Sequence, residues 1–257
     1  MTGMREPDSQ KVYEQIAATH AATEGIRPGG IELTRRALAR CRLPRGSRVL
    51  DVGCGTGVTL AYLSDVHGFL AAGIDASSLL LELGRTGNSS LQLVKARGEH
   101  LPFPDECADG LLAECSLSVM SDRDRALDEF RRVLRTGGKL IVSDVYARNS
   151  DRVDRLLRLP RTCCVRGAVA RERLFETILD HGFSIDLWED HSELLTRFAV
   201  HLIFAYGSMD VFWLRTASDS ADSEEIQQAI AEAKPGYFLL VAQKVASPGR
   251  GPGKDAP

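Results

Sequence analysis

Arg48-Val49-Leu50-Asp51-Val52-Gly53-Cys54-Gly55-Thr56-Gly57 decides how the rest of the chain is read. Val49, Leu50 and Val52 make a short apolar run with the β-branched content of a buried strand. Alternating glycines follow. A residue without Cβ lets the backbone turn tightly and approach a ligand, so Gly53, Gly55 and Gly57 predict a loop shaped around a bound molecule. Val58-Thr59-Leu60-Ala61-Tyr62-Leu63 then opens a helix. Strand, glycine loop and helix N-terminus together form a nucleotide-type cradle. The third glycine falls one residue too early for the dinucleotide pattern G-x-G-x-x-G, and no Gly-Lys-Ser/Thr closes a phosphate loop. Asp51 stands before the first glycine. A carboxylate there repels a pyrophosphate and suits a ligand that carries an ammonium group.

Outward from the loop, strands and helices alternate. Phe69–Asp75 reads as a second buried strand ending in an acid. Asp75 lies ~20 residues after the loop, where a carboxylate can accept from both hydroxyls of a ribose. Ser77 is placed to cap a helix over Leu79–Arg85. Leu91–Ala96 and Asp109–Cys115 read as the third and fourth strands. Helix Asp122–Leu134 is amphipathic, with Ala126, Leu127, Phe130 and Val133 on one face. Ser121 with Asp124 resembles a capping box at its start, and Gly137-Gly138 is expected to stop it. Lys139–Asp144 is the fifth strand. This alternation predicts an α/β fold with a doubly wound, mostly parallel sheet.

Before the loop, helices are expected over residues 10–24 and Ile31–Cys41, separated by Arg27-Pro28-Gly29-Gly30. After the fifth strand, residues 151–170 are basic and irregular. Helix Arg171–Asp180, strand Phe183–Trp188, helix Glu193–Tyr206, helix Glu224–Ala233 and a last strand over Gly236–Ala242 follow. The Gly/Pro-rich tail, residues 246–257, reads as disordered. His100 is placed to line a pocket, His191 to cap a helix, and His201 falls in an apolar helix. Tyr146 and Trp213 are either core residues or walls of an acceptor pocket.

The hydrophobic fraction of 44% over 257 residues supports one substantial core. A net charge of -3 gives no basic field for nucleic acid. No apolar stretch approaches the ~18 residues of a membrane span, so membrane insertion is not expected. Met1-Thr2-Gly3-Met4-Arg5-Glu6 lacks the apolar core of an export leader. The expected location is therefore cytoplasmic, with the six cysteines reduced. None of them shows C-x-x-C spacing.

The pattern Asp51-x-Gly53-x-Gly55-x-Gly57 resembles the first motif of class I S-adenosylmethionine (AdoMet) methyltransferases. Leu101-Pro102-Phe103-Pro104 and Leu127-x-Glu129-x-x-Arg132-Val133-Leu134-x-x-Gly137-Gly138 resemble later motifs of the ubiquinone and menaquinone C-methyltransferase type. These motifs cover roughly residues 46–147. The resemblance implies a seven-stranded Rossmann-like sheet with N-terminal helices, a C-terminal helical insertion, and a last strand antiparallel at the sheet's edge. It divides the chain into an N-terminal cap (1–45) and a methyltransferase domain (46–245) whose residues 150–235 vary with the acceptor. It implies AdoMet as methyl donor and a small-molecule acceptor. The cofactor contacts it carries over fall on Asp51, Gly53, Gly55, Thr56, Gly57, Asp75, Ala76, Gly98, Glu99 and Glu114. One position departs from the family. Arg97 stands where the family has the acid that reads the adenine amino group, and arginine cannot accept a hydrogen bond. Glu99 or backbone groups near Gly98 would take over that reading.

From Glu114-Cys115 through Cys164-Val165-x-Gly167-Ala168, the chain also resembles arsenite methyltransferases. Cysteines at the positions of Cys115 and Cys164 hold trivalent arsenic in those enzymes. The third cysteine of that group is Leu60 here, and Cys54 inside the loop does not replace it. Three readings of this region therefore stand: an organic acceptor, a thiophilic acceptor held by Cys115 and Cys164, and a non-catalytic AdoMet-binding module.

Overall fold

The computed structural model describes residues 12–14, 17, 27–157, 159, 164–216 and 223–246. Among them, one sheet is built from β1 (Arg48–Val52), β2 (Leu70–Asp75), β3 (Leu93–Lys95), β4 (Ala108–Glu114), β5 (Leu134–Ala147), β6 (Phe183–Asp190) and β7 (Pro235–Lys244). Their order is β3-β2-β1-β4-β5-β7-β6. β1 pairs in parallel with β2 and with β4, and β4 pairs in parallel with β5. β7 runs antiparallel to both β5 and β6.

The central strands are apolar on both sides, and successive side chains alternate between two cores. In β7, Tyr237, Leu239 and Val241 enter one core, while Phe238, Leu240 and Ala242 enter the other. The first core takes α1 (Gly30–Cys41), α2 (Val58–Asp65), α7 (Ser192–Tyr206), α8 (Met209–Thr216) and α9 (Ser223–Ala233). The second takes α4 (Arg123–Val133) and α6 (Arg171–Asp180) through Phe130, Val133, Leu174 and Ile178. Between them in the chain lie α3 (Ser78–Gly87) and the short α5 (Val153–Leu157). This is the doubly wound, Rossmann-like layering that the strand–helix alternation predicts.

Three local expectations are corrected. β7 is not at the edge of the sheet: it lies between β5 and β6, and β6 is the outer strand. The apolar residues of β7 are almost fully buried on both faces, whereas β6 is only half-buried, so burial sorts the two strands. Helix α4 ends at Val133, before the glycines. Fully buried Leu134 is already extended and pairs with Ala108, so sheet pairing removes the chain from the helix first. Asp122, not Ser121, caps α4, its carboxylate accepting from Arg125 N at 2.9 Å. The capping of α3 by Ser77 is as expected, with Leu80 N donating to Ser77 Oγ at 3.1 Å. Of the helix expected over residues 10–24, only 12–14 and 17 are described, all helical, and residues 247–257 lie outside the described set.

Candidate functional site

The chain leaves β1 toward β2 on one side and returns through β4 on the other. That reversal opens a crevice at the carboxyl ends of β1, β2 and β4, the place where open α/β sheets bind ligands. A cleft of about 190 Å³ occupies it, lined by residues of the glycine loop, the ends of β2 and β4, and the 96–99 segment. The loop is tied to β2: Gly53 N and Cys54 N both donate to Ile74 O, at 2.7 and 3.0 Å. Gly53 has φ +83°, and a Cβ there would sit 2.4 Å from Ser116 Cβ, so loop and β4 turn touch only because this residue is glycine. Gly55 has φ +56°, and a Cβ built on it meets no protein atom.

Asp75 binds the two walls together. Its carboxylate accepts from Gly55 N and from Ser77 N, both at 2.8 Å. A carboxylate offers about four acceptor positions, so acceptor capacity remains for a ligand's hydroxyls. Burial raises its pKa, against the pull of these backbone donors. Thr56, Ala76 and Ser77 complete this side of the cleft.

At the other end, charges of both signs are buried together. Arg27 Nη2 lies 2.9 Å from Glu114 Oε2 and 2.6 Å from Thr34 Oγ1. Thr34 Oγ1 donates to Glu114 Oε1 at 2.8 Å, and Thr59 Oγ1 to Oε2 at 3.3 Å. Arg27 Nε and Asp51 Oδ2 are buried with no hydrogen-bond partner among the described residues. Burial, together with the negative Glu114, pushes the Asp51 carboxyl up to about 8. Asp51 is not among the residues that line the cleft, whereas Arg27 and Glu114, of opposite charge, line it and suit the two ends of a zwitterionic amino-acid group. Arg27, Thr34 and Thr59 were not legible as site residues, because their partner Glu114 lies 55 or more residues away in sequence.

Arg97 and Gly98 both line the cleft. Met120 presses on Gly98 so closely that a Cβ there would be 2.6 Å from Met120 Cε. The Glu99 carboxylate accepts from Ser121 N at 2.8 Å and Asp122 N at 3.3 Å, so it also holds the loop before α4. The later motif residues are struts. Arg132 donates to the carbonyls of Phe103 and Leu101, at 2.8 and 3.0 Å, and pairs with Glu129 and Asp105. Glu129 in turn accepts from Leu101 N at 2.8 Å. This clamp fixes the 101–105 segment beside the cleft floor.

Cys115 and Cys164 come together. Their sulfurs and a carboxylate oxygen of Asp144 all lie within 4.8 Å of one another. Cys115 follows β4 with φ +55° and lines the cleft. Its thiol is held well above the ordinary range by its hydrogen bond with Cys164 and by burial. Burial first, and Cys164 next, push Asp144 up to about 7. Cys163 lies outside the described residues, and Leu60 is fully buried in the core. Cys54 packs against Gly73.

The histidines stand apart. His100 is exposed and absent from the cleft lining, His201 is exposed, and His191 starts α7 without a side-chain cap, its ring instead 3.0 Å from Glu189. Tyr146 is a core residue, packed edge-on against Trp188 and Phe238 and hydrogen-bonded to Asp190. The side chain of Trp213 lies outside the described residues.

Sheet order, glycine loop and acid-tipped second strand together define a nucleoside-binding α/β domain of the methyltransferase type. Residues 50–142 match the family described as "Methyltransferase domain". The seven-stranded sheet has the Rossmann-like fold of AdoMet-dependent methyltransferases. It is 37% identical over 120 residues to the O-methyltransferase rstn1 of Aspergillus nomiae, covering 44% of this chain and 53% of that protein. It is 35% identical over 144 residues to the ubiquinone/menaquinone biosynthesis C-methyltransferase UbiE of Vibrio vulnificus, covering 51% and 55%. The chain thus spans about half the length of these curated relatives. Across nearly its whole length it superposes on the crystal structure of the [4+2]-cyclase SpnF, with a TM-score of 0.70, 26% identity, and coverage of 94% and 97%.

Proposed function

We propose that the protein transfers the methyl group of AdoMet to a small-molecule acceptor. The observation that carries this reading is the pairing of two half-sites in one cleft. Asp75, bridging Gly55 and Ser77, lines the ribose half, and Arg27 and Glu114 line the amino-acid half with opposite charges. The residues present therefore fit AdoMet. Glu114 suits the ammonium, Arg27 the carboxylate, and Asp75 the ribose hydroxyls. When bound, AdoMet supplies a methyl group on an already activated sulfonium, so the protein's own task is placement and exclusion of water. Gly53 and Gly55 let the backbone approach, Met120 closes over Gly98, and the β4 turn with Cys115 and Ser116 forms the wall toward the acceptor. No general base is required where the acceptor atom is already nucleophilic. The domain limits, with residues 1–45 as cap and 150–235 as acceptor-side region, belong to this same proposal, as does a cytoplasmic location. Among the described residues no helix is long and apolar enough to cross a membrane.

A second reading is favoured by one observation, the meeting of Cys164 with Cys115, which lines the cleft. Two thiols there suit a soft acceptor such as arsenite, held by two thiolates rather than three because the resemblance puts Leu60 where arsenite methyltransferases have the further cysteine. The deciding experiment is a labelled-methyl assay with arsenite, quinols, phenols and amines as acceptors. Label in an organic product supports the first reading, and label in an arsenical the second. AdoMet binding with no transfer to any acceptor leaves a binding module. No AdoMet binding overturns all three.

A further inference from the structure

The Cys115–Cys164–Asp144 cluster has a donor set that neither packing nor methyl transfer requires. Two thiols alone could be small buried hydrophobes. The buried Asp144 carboxylate beside them accepts from Ser118 and from Val145 N, at 2.8 Å, and a carboxylate's remaining acceptor capacity is left beside both sulfurs. The cluster is also assembled from three separate elements, each held in place. Cys115 follows β4, and Tyr237 Oη lies 3.7 Å from its sulfur. Asp144 sits in β5, and its orientation is fixed by Ser118, whose N–H and hydroxyl donate to its two oxygens at 2.9 and 2.7 Å. Cys164 opens the short turn Cys164–Gly167. That turn seats against Ser118 so tightly that a Cβ on Gly167 would be 1.8 Å from the Ser118 carbonyl oxygen, and Arg123 clamps Gly167 O at 2.6 Å. The same Ser118 therefore positions both the carboxylate and the turn that delivers the second sulfur.

We propose that Cys115, Cys164 and Asp144 form a binding site for a thiophilic divalent cation, zinc in character, entered from the cleft along the wall that Cys115 forms. A tetrahedral zinc site has Zn–S near ~2.3 Å and Zn–O near ~2.1 Å, so its donors stand ~3.6 Å apart. The observed limit of 4.8 Å closes to that by about 1 Å of side-chain movement. Three protein donors leave the fourth position open, the pattern of zinc sites that bind an exchangeable group rather than purely structural ones. Ser118 and Tyr237 supply the outer contacts that orient such donors. A hard carboxylate oxygen beside two sulfurs suits a borderline divalent cation better than trivalent arsenic. On coordination both thiols give up their protons to solvent, and the thiolates bind the cation. This site is independent of the organic-acceptor reading and competes with the thiophilic-acceptor reading for the same two thiols.

The test uses the full chain, reduced and stripped with chelator, titrated with Co2+ and with Cd2+. One equivalent of each should bind with thiolate-to-metal charge-transfer absorption. Cys164→Ser should lower that band by half or more while circular dichroism and AdoMet binding stay unchanged. Asp144→Asn should weaken the metal tenfold or more, and Gly167→Ala should weaken it by separating the turn from Ser118. Absence of the band in wild type, or a band unchanged in Cys164→Ser, overturns the site. So does stoichiometric arsenite binding with no Cd2+ binding, which would return the pair to the thiophilic-acceptor reading. Unchanged affinity in a folded Asp144→Asn would overturn the carboxylate's place among the donors.

Discussion

Thr34 and Glu114 are eighty residues apart in sequence and joined by a 2.8 Å hydrogen bond that fastens α1 to the end of β4. Thr34 is fully buried and also accepts from Arg27. Replacing its hydroxyl with a methyl group keeps the shape and leaves Arg27 and Glu114 each one partner short. Thr34→Val should therefore cost about 1–3 kcal/mol, the penalty of a buried polar group left unpaired. Urea unfolding should show a lower midpoint with an unchanged slope. Weaker AdoMet binding should accompany it, because the same network sets Arg27 at the cleft.

Asp51 gives a pH signature. In the unfolded chain an aspartate ionises near ~3.9. In the folded protein burial holds Asp51 protonated up to about 8. Between those values the folded state binds the extra proton, so stability falls as pH rises, approaching about 1.4 kcal/mol per pH unit from this group alone. Asp51→Asn has no such proton. Variant and wild type should be similarly stable near pH 4, and the variant should gain steadily on wild type toward pH 8. Paired unfolding curves at pH 4, 6 and 8 check this, and a gap that does not widen with pH contradicts it.

Much of this was readable in the sequence, for physical reasons that differ by region. Val49-Leu50-x-Val52 and the run from Leu239 to Ala242 are buried on both faces, and such strands announce themselves as continuous apolar runs. Glycines at positive φ and an acid ending the next strand are local signals. The continuous apolar run of β7 against the half-polar β6 marks β7 as the inner of the two, but which strands flank it is set by the fold and not by its own residues. The end of α4 was placed within one residue, but its cause was not: pairing of Leu134 with Ala108 takes the chain into the sheet before Gly137 is reached. Arg27 was passed over as a loop residue beside Pro28, since its value comes from Glu114 across the fold. Cys115 and Cys164 were picked out by resemblance, whereas the part of Asp144 emerges only when β5 places it beside both sulfurs.

Gly55 separates shape from chemistry. A branched side chain there meets no protein atom, but φ +56° strains it and the space it fills is the cleft itself. Gly55→Val should remove AdoMet binding and destabilise the fold by only about 1–2 kcal/mol. Thermal unfolding with and without AdoMet reads both effects: a modest fall in the melting temperature, and no ligand-induced rise.

The Arg132 clamp should behave as structure. It holds Leu101 and Phe103 by their carbonyls and touches no cleft atom directly. Arg132→Lys keeps the charge and loses the fork that spans Glu129, Asp105 and both carbonyls. Hydrogen exchange should quicken in residues 99–105, and the AdoMet dissociation constant should rise only slightly.

Calorimetric titration of AdoMet into the wild-type protein and Asp75→Ala tests the central claim most directly. The account predicts one site in the wild type. It predicts a loss in the variant of at most two charge-assisted hydrogen bonds, about 1.5–3 kcal/mol each. Absence of AdoMet binding by the wild type, or equal affinity in a folded Asp75→Ala protein, would contradict it.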